Sequence, residues 1–187
     1  EQRDLGRRQP LRVLVLGGSR GAQALNECLP GAFAALPREL HPRILHQAGR
    51  GKREGCLAAY RHLGVAAEVV EFIDDMQAAY AQTDLVIARS GALTLAELAA
   101  VGLGAILVPY PHAADDHQMA NARFFERAGA AVVLPQDRLA SGSLTGILQE
   151  LSTDTARLRQ MASTARTLAL PDAAREVARC CMEVCKG

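Results

Sequence analysis

Six short apolar runs, separated by turns and helical segments, constrain the fold of this 187-residue chain more than any other feature. The runs are RVLVL (12–16), RILHQ (43–47), EVVEF (68–72), DLVIA (84–88), AILVP (105–109) and AAVVL (130–134). Short apolar runs of this kind are typical of strands buried on both faces of a parallel sheet. Because they alternate with helices, the sequence predicts an α/β fold with a doubly wound, six-stranded, Rossmann-like parallel sheet.

The helices predicted between these runs have recognisable ends. The first spans about 21–36 and stops before Pro37, and the others cover 52–63, 74–82, 92–101 and 116–128. Gly102 and Gly129 follow the last two of these, at the position where glycine commonly ends a helix. The remainder, from about Arg138, is predicted to be helical with a break at Pro171. We expect a linker over residues 1–10, one domain over 11–170 and a C-terminal helix over 171–187.

Composition argues against several kinds of partner. The 21 Lys and Arg residues balance 20 Asp and Glu, and this net charge of +1 gives no long-range field that would attract nucleic acid. The longest apolar stretch, 98–110, is broken by glycine and proline and is shorter than the roughly 20 residues that a membrane helix needs. The first ten residues lack the apolar core of a secretory signal. The five cysteines form no CxxC pair, which favours a reducing cytosol over a disulfide framework.

The loop after the first run, GGSRGAQALN (17–26), brings backbone N–H groups and a helix N-terminus to the sheet edge where doubly wound folds bind ligands. It lacks the Gly-Lys-Ser/Thr of a Walker loop and the first glycine of G-x-G-x-x-G. The second run also ends without the carboxylate that a dinucleotide site needs. Gly17 and Gly18 therefore either help to bind an anion or simply make a tight turn.

The loop after the fourth run, RSGALTLAE (89–97), predicts a second anion site. Ser90 is a candidate N-cap for a helix that begins near Ala92 with free N–H groups. Thr94 adds a hydroxyl. Glu97 lies farther along the helix, where a carboxylate can accept hydrogen bonds from both hydroxyls of a ribose. The alternative is an ordinary acid near a helix N-terminus, worth only about 0.3–1 kcal/mol.

Two further loops carry polar groups at the same predicted edge. After the fifth run, PYPHAADDHQMANA (109–122) places Asp115 or Asp116 where it caps the next helix, an interpretation we favour over metal binding by His112, Asp115 and His117. The neutral amide of Gln118 suits sugar hydroxyls, which both donate and accept hydrogen bonds. After the third run, the apolar residues of FIDDM (72–76) either flank a flat base or cover the core.

In this order, the motifs GGSRGA, FIDDM, RSGALTLAE, PYPHAADDHQMANA and ERAGAA closely resemble the C-terminal domain of the MurG family of N-acetylglucosaminyltransferases. The resemblance runs from about residue 11 to 172. Members of the family have the GT-B architecture, in which two Rossmann-like domains face each other across a cleft. They transfer N-acetylglucosamine from UDP-N-acetylglucosamine to lipid I, with inversion and without a required metal or other cofactor, to form lipid II for peptidoglycan. The resemblance implies that residues 11–170 form the domain that binds UDP-N-acetylglucosamine.

The resemblance also implies roles for individual residues. Ser19 would contact the phosphates or sugar of the donor, and the Ile73 backbone would hydrogen-bond the uracil. The amides of 92–94 would hold the α-phosphate, Glu97 the ribose hydroxyls and Gln118 the sugar hydroxyls. The full donor-binding set is Ser19, Ile73, Ala92, Leu93, Thr94, Leu95, Ala96, Glu97 and Gln118, and further candidates are Gly18, Met76, Arg89, His117 and Asn121. His117 stands where some members have a second glutamine.

The catalytic machinery of the family is expected outside this chain. The general base, the acceptor loop and the membrane-docking patch belong to the N-terminal domain, so we expect no catalytic residue and no metal here. The chain alone would then bind donor without turnover. Lipid I and membrane contacts would come through the other domain, on the cytoplasmic face of the plasma membrane. Two alternatives stay open: a UDP-sugar-binding subunit of a split transferase, and half of a UDP-N-acetylglucosamine 2-epimerase-like enzyme.

Overall fold

The apolar runs form one parallel sheet in the computed structural model, which describes residues 10–18, 22–113, 116–140 and 142–184. Its strands are β1 (Arg12–Leu16), β2 (Arg43–Gln47), β3 (Ala67–Val70), β4 (Leu85–Ala88), β5 (Ala105–Leu107) and β6 (Ala131–Val133). Their order is β3-β2-β1-β4-β5-β6, and every neighbouring pair is parallel. The predicted doubly wound sheet is confirmed. The strand order reverses between β1 and β4, where such sheets open a ligand-binding crevice.

Eight α-helices lie within the described ranges. They are α1 (Gln23–Ala34), α2 (Arg53–His62), α3 (Met76–Ala81), α4 (Ala92–Val101), α5 (His117–Ala128), α6 (Ser143–Thr153), α7 (Thr155–Thr167) and α8 (Ala173–Val184). The predicted limits of α4 are confirmed, and Gly102 ends it with a left-handed φ of 64°. The predicted helix from about Arg138 is wrong in two respects. It begins only at Ser143, and it breaks at Asp154, whose carboxylate caps α7 by accepting from the Arg157 N–H at 2.8 Å.

Alternate side chains of β1 enter two separate cores. Val13 and Val15 pack on one face of the sheet in a cluster that includes buried residues of α1, α2 and α6. Leu14 and Leu16 point to the other face, where α3, α4 and α5 supply the buried partners. Burial on both faces explains why the first run is continuously apolar. It also leaves the carboxyl edge of the sheet, rather than a face, as the place where a ligand can bind.

A buried polar network joins α1, β2 and α2 on the first of these faces. Asn26 donates from Nδ2 to the Ala48 carbonyl at 3.0 Å, so its Oδ1 is left to accept from Nε2–H of His46 at 3.1 Å. Nδ1 of His46 then accepts from the Tyr60 hydroxyl at 3.0 Å, with the Cys56 sulfur 3.6 Å away. His46 is fully buried, and burial lowers its pKa to about 4. The network therefore holds a neutral imidazole in one tautomer.

An ion pair ties the amino ends of β1 and β4 together. The Arg12 guanidinium donates to both carboxylate oxygens of Asp84, at 2.9 and 2.5 Å, and the Arg12 backbone N–H donates to the same group at 2.9 Å. This hydrogen bonding raises the pKa of Arg12. The pair lies at the edge opposite the predicted ligand site. It therefore supports the central strands rather than contacting a ligand.

The last helix, α8, lies outside both cores. Every residue from 173 to 183 is exposed, including the large apolar side chains of Val177 and Met182. Cys180 and Cys181, on this helix, are exposed as well. No helix in the described part of the chain is long and apolar enough to cross a membrane.

Candidate functional site

The loops that follow β1, β4 and β5 meet at the carboxyl edge of the sheet, beside the reversal in strand order. After β1, the Gly17 N–H donates to the Gln47 carbonyl at 3.1 Å, which fixes the start of the loop on β2. Gly18 has φ +73°, and an added Cβ would meet nothing within 4 Å, so the backbone conformation is what favours glycine here. Ser19 lies outside the described residues, and its contact with a donor stays a prediction.

The amino end of α4 presents backbone N–H groups that the helix does not use. Gly91, in an extended conformation, occupies the N-cap position, and its carbonyl accepts from the Leu95 N–H at 3.0 Å. The amides of 92–94 precede that first helical bond, and no side chain caps them. The sequence prediction of Ser90 as N-cap is wrong by one residue. An uncapped helix start with its partial positive charge is suited to a phosphate.

The predicted residues of α4 divide between solvent and core. Ala92, Leu93, Ala96 and Glu97 are exposed, and Leu93 is 82% exposed. Leu95 instead buries its side chain and uses its amide within the helix. Leu95 therefore packs in the core, while Ala92, Leu93, Ala96 and Glu97 are accessible to solvent.

Ser90 and Gln118 connect the loop after β4 with the start of α5. The Ser90 hydroxyl donates to the Gln118 carbonyl at 2.7 Å, and Asn121 donates from Nδ2 to the Ser90 carbonyl at 3.1 Å. The Gln118 side chain accepts from the Tyr110 N–H through Oε1 at 3.0 Å. These bonds place two predicted donor-binding residues, Gln118 and Asn121, directly beside the β4 loop. Among the described residues, the Gln118 amide nitrogen has no hydrogen-bond partner.

Arg89, a predicted site residue, braces the loop after β5. Its guanidinium donates to the carbonyls of Val108 and Pro109 at 3.0 and 3.2 Å and to Oε1 of Gln136 at 2.5 Å. The same group lies 5.4 Å from the centre of the Tyr110 ring. Burial lowers the pKa of Arg89, but a guanidinium remains charged. Arg89 therefore lies at the edge predicted to bind a ligand, where its guanidinium holds the loop after β5 in place.

The start of α5 differs from the sequence prediction. Asp116 occupies the N-cap position with φ 51°, and its side chain makes no capping hydrogen bond; Asp115 lies outside the described residues. Capping by Asp116 is therefore wrong, although aspartate is among the residues that tolerate this left-handed conformation. His117 opens the helix and is exposed. Within the described ranges, no three His, Cys, Asp or Glu side chains are grouped so that they would hold a metal ion.

The loop between β3 and α3 forms the remaining side of the site. The Ile73 side chain is buried in the core, while its backbone N–H and C=O make no hydrogen bond to another described residue. Asp75 caps α3, accepting from the Ala78 N–H at 2.9 Å, and Met76 is half-buried beside it. Ile73 thus presents only its backbone, the part of it that was predicted to contact uracil.

Glu97 has a partner that the sequence analysis missed. The Tyr80 hydroxyl, on α3, donates to Oε2 of Glu97 at 2.7 Å. Burial, and then the Glu97 carboxylate, raise the pKa of Tyr80, so the hydroxyl stays neutral and donates. The sequence signal for this contact was Tyr80 itself, a large side chain with a hydroxyl group in a helix, MQAAYA, that is rich in alanine.

The sheet order and the open helix start define a class: a Rossmann-like domain, of the kind that forms half of a GT-B glycosyltransferase. More particularly, the chain matches the glycosyltransferase family 28 C-terminal domain over residues 12–177 and belongs to that family. Similar proteins with curated names and a solved MurG structure confirm the resemblance to MurG proteins.

Similar proteins include two curated enzymes named UDP-N-acetylglucosamine--N-acetylmuramyl-(pentapeptide) pyrophosphoryl-undecaprenol N-acetylglucosamine transferase. That of Hahella chejuensis is 55% identical over 185 residues, covering 99% of this chain and 51% of the relative. That of Azotobacter vinelandii is 53% identical over 182 residues, covering 97% of this chain and 51% of the relative. The crystal structure of Acinetobacter baumannii MurG aligns with a TM-score of 0.86 and 40% identity, over 94% of this chain and 50% of that chain. The chain therefore spans about half the length of these relatives.

Proposed function

We propose that this chain binds UDP-N-acetylglucosamine at the carboxyl edge of its sheet, as the donor half of an inverting N-acetylglucosaminyltransferase that converts lipid I to lipid II. The observation that carries the proposal is the uncapped start of α4 with Glu97 farther along the same helix. Thr94 and Glu97 are three residues apart and share one side of the helix. From Ala92 to Glu97 the helix rises about 7.5 Å, which suits an α-phosphate at one end and ribose hydroxyls at the other.

Charge supports this arrangement. When the glycosidic bond of a UDP-sugar breaks, negative charge develops on the departing diphosphate. Fixed N–H groups at the start of α4, with that of Gly18 after β1, would stabilise that charge without reorganising, the role that a divalent ion has in other transferases. Gln118 would contact the sugar hydroxyls, and the Ile73 backbone the uracil.

The rest of the reaction would depend on the other half of a full-length protein. We place the general base, the lipid I site and the membrane contact there, with the whole enzyme on the cytoplasmic face of the membrane. This chain alone would then bind donor without transferring the sugar. Membership of glycosyltransferase family 28 favours this transferase over an epimerase-like enzyme. It is compatible with either a fused or a separate acceptor domain.

Calorimetric titration of the purified chain tests the proposal. We expect UDP-N-acetylglucosamine and UDP to bind with one site per chain, and NADH to show no binding. CDP is expected to bind more weakly than UDP, because the cytosine edge offers the Ile73 backbone a different pattern of donors and acceptors. Preferential binding of NADH, or no binding of either uridine ligand, would overturn the proposed function.

A further inference from the structure

The hydrogen bond between Tyr80 and Glu97 connects two helices on either side of the proposed ribose position. Tyr80 belongs to α3, which follows the loop that carries Ile73, and Glu97 belongs to α4, which carries the proposed phosphate amides. The bond is short, at 2.7 Å from the hydroxyl oxygen to Oε2. It therefore links the part of the site proposed to bind the base with the part proposed to bind the phosphate.

The two partners differ in mobility. Tyr80 is only 4% exposed and packs in the same core cluster as Ile73, so its ring is fixed by its surroundings. Glu97 is exposed, and an exposed glutamate samples several rotamers unless something holds it. A fixed donor bonded to a mobile acceptor restrains the acceptor. The Tyr80 hydroxyl therefore orients the Glu97 carboxylate.

We propose that Tyr80 is a positioning residue that sets the Glu97 carboxylate for a ribose diol and so favours ribonucleotides over nucleotides that lack those hydroxyls. This inference rests on the proposed function, because it assumes that Glu97 receives the ribose. A carboxylate has about four lone-pair positions on two oxygens, and Tyr80 uses one of them. No other group among the described residues hydrogen-bonds this carboxylate, so Oε1 and the remaining Oε2 position can accept from two vicinal hydroxyls. A carboxylate held in place before binding loses less rotamer freedom when the nucleotide arrives.

Tyr80→Phe removes the hydroxyl and keeps the buried ring. We expect the dissociation constant for UDP to rise roughly 3- to 10-fold, which corresponds to the cost of ordering one side chain on binding. The dissociation constant for 2′,3′-dideoxy-UDP, which offers Glu97 no diol, should change less than about 2-fold on the same reasoning. A residue with a purely structural role would weaken both ligands equally, so the difference between the two ligands is the diagnostic measurement.

Tyr60→Phe is the matched control. It also removes one buried tyrosine hydroxyl, but on the opposite face of the sheet, where the partner is His46. We expect it to lower thermal stability without discriminating between UDP and the dideoxy nucleotide. Circular dichroism of both variants reports whether they fold.

A double-mutant cycle with Glu97→Gln completes the test. If Tyr80 acts through Glu97, Tyr80→Phe should have little effect on UDP binding once the carboxylate is gone. Equal weakening of both ligands by Tyr80→Phe, or unchanged or tighter UDP binding, would overturn the inference while leaving the proposed function intact. Full UDP affinity in Glu97→Gln would overturn the inference together with the ribose role of Glu97. Absence of UDP binding by the unmodified chain would overturn both the inference and the proposed function.

Discussion

Glu97→Gln should weaken UDP binding on the order of 100-fold, because two hydrogen bonds to a charged group contribute about 1.5–3 kcal/mol each and the amide replaces one acceptor oxygen by a donor. The side chain keeps its size, so the loss of UDP affinity reports the change in charge and hydrogen bonding rather than a change in packing. Calorimetric titration with UDP gives the dissociation constant directly.

Glu150→Gln provides the control for this variant. Glu150 is an exposed acid on α6, which packs on the other face of the sheet, and it pairs with Arg157. Its replacement makes the same change in net charge, and we expect UDP affinity within about twofold of the unmodified chain because exposed ion pairs have small effects. If Glu97→Gln binds UDP as tightly as Glu150→Gln does, the ribose role of Glu97 is wrong.

Protonation of His46 is expected to remove about 3 kcal/mol of the free energy of unfolding as the pH falls from 6.5 to 4. The pKa of His46 is lowered by burial from 6.5 to about 4, so between these values the unfolded chain binds the proton more readily than the folded chain. Stability from this group is therefore complete above pH 6.5 and declines as the pH falls toward 4. Urea denaturation at several pH values measures the slope.

His46→Gln separates this contribution from the titration of carboxylates. The variant should be less stable at pH 7, because it disrupts the hydrogen bonds with Asn26 and Tyr60. Its stability should nevertheless depend less on pH between 6.5 and 4, since the buried imidazole is absent. If the free energy of unfolding of the two proteins depends on pH in the same way, His46 is not the group that causes the loss of stability in acid.

Local sequence signals were sufficient for much of the fold. The limits of β1 and β2 were predicted without error, because a short apolar run stops at glycine or at a polar turn. The limits of α4 were equally clear because Gly102 ends it. The predicted third strand extended too far, to Phe72, whose side chain is 60% exposed. The break between α6 and α7 was missed because Asp154, an N-cap inside a continuous helical pattern, was its main signal.

Motifs identified the loops of the site but not the contacts between them. The spacing of RSGALTLAE predicted where α4 begins, yet not that Ser90 would donate to the Gln118 carbonyl instead of capping the helix. Arg89 turns toward the carbonyls after β5, and Tyr80 reaches Glu97 from a different helix. Such contacts depend on the relative positions of loops that follow separate strands. The packing of the helices on the sheet determines these positions.

The most direct test of the central claim is a crystal structure of this chain with UDP. We expect the α-phosphate within hydrogen-bonding distance of the amides of 92–94, both ribose hydroxyls on Glu97, and the uracil beside the Ile73 backbone. It would also show whether Ser19 contacts the diphosphate. A nucleotide bound elsewhere, or bound at this edge with its ribose turned away from Glu97, would contradict the account.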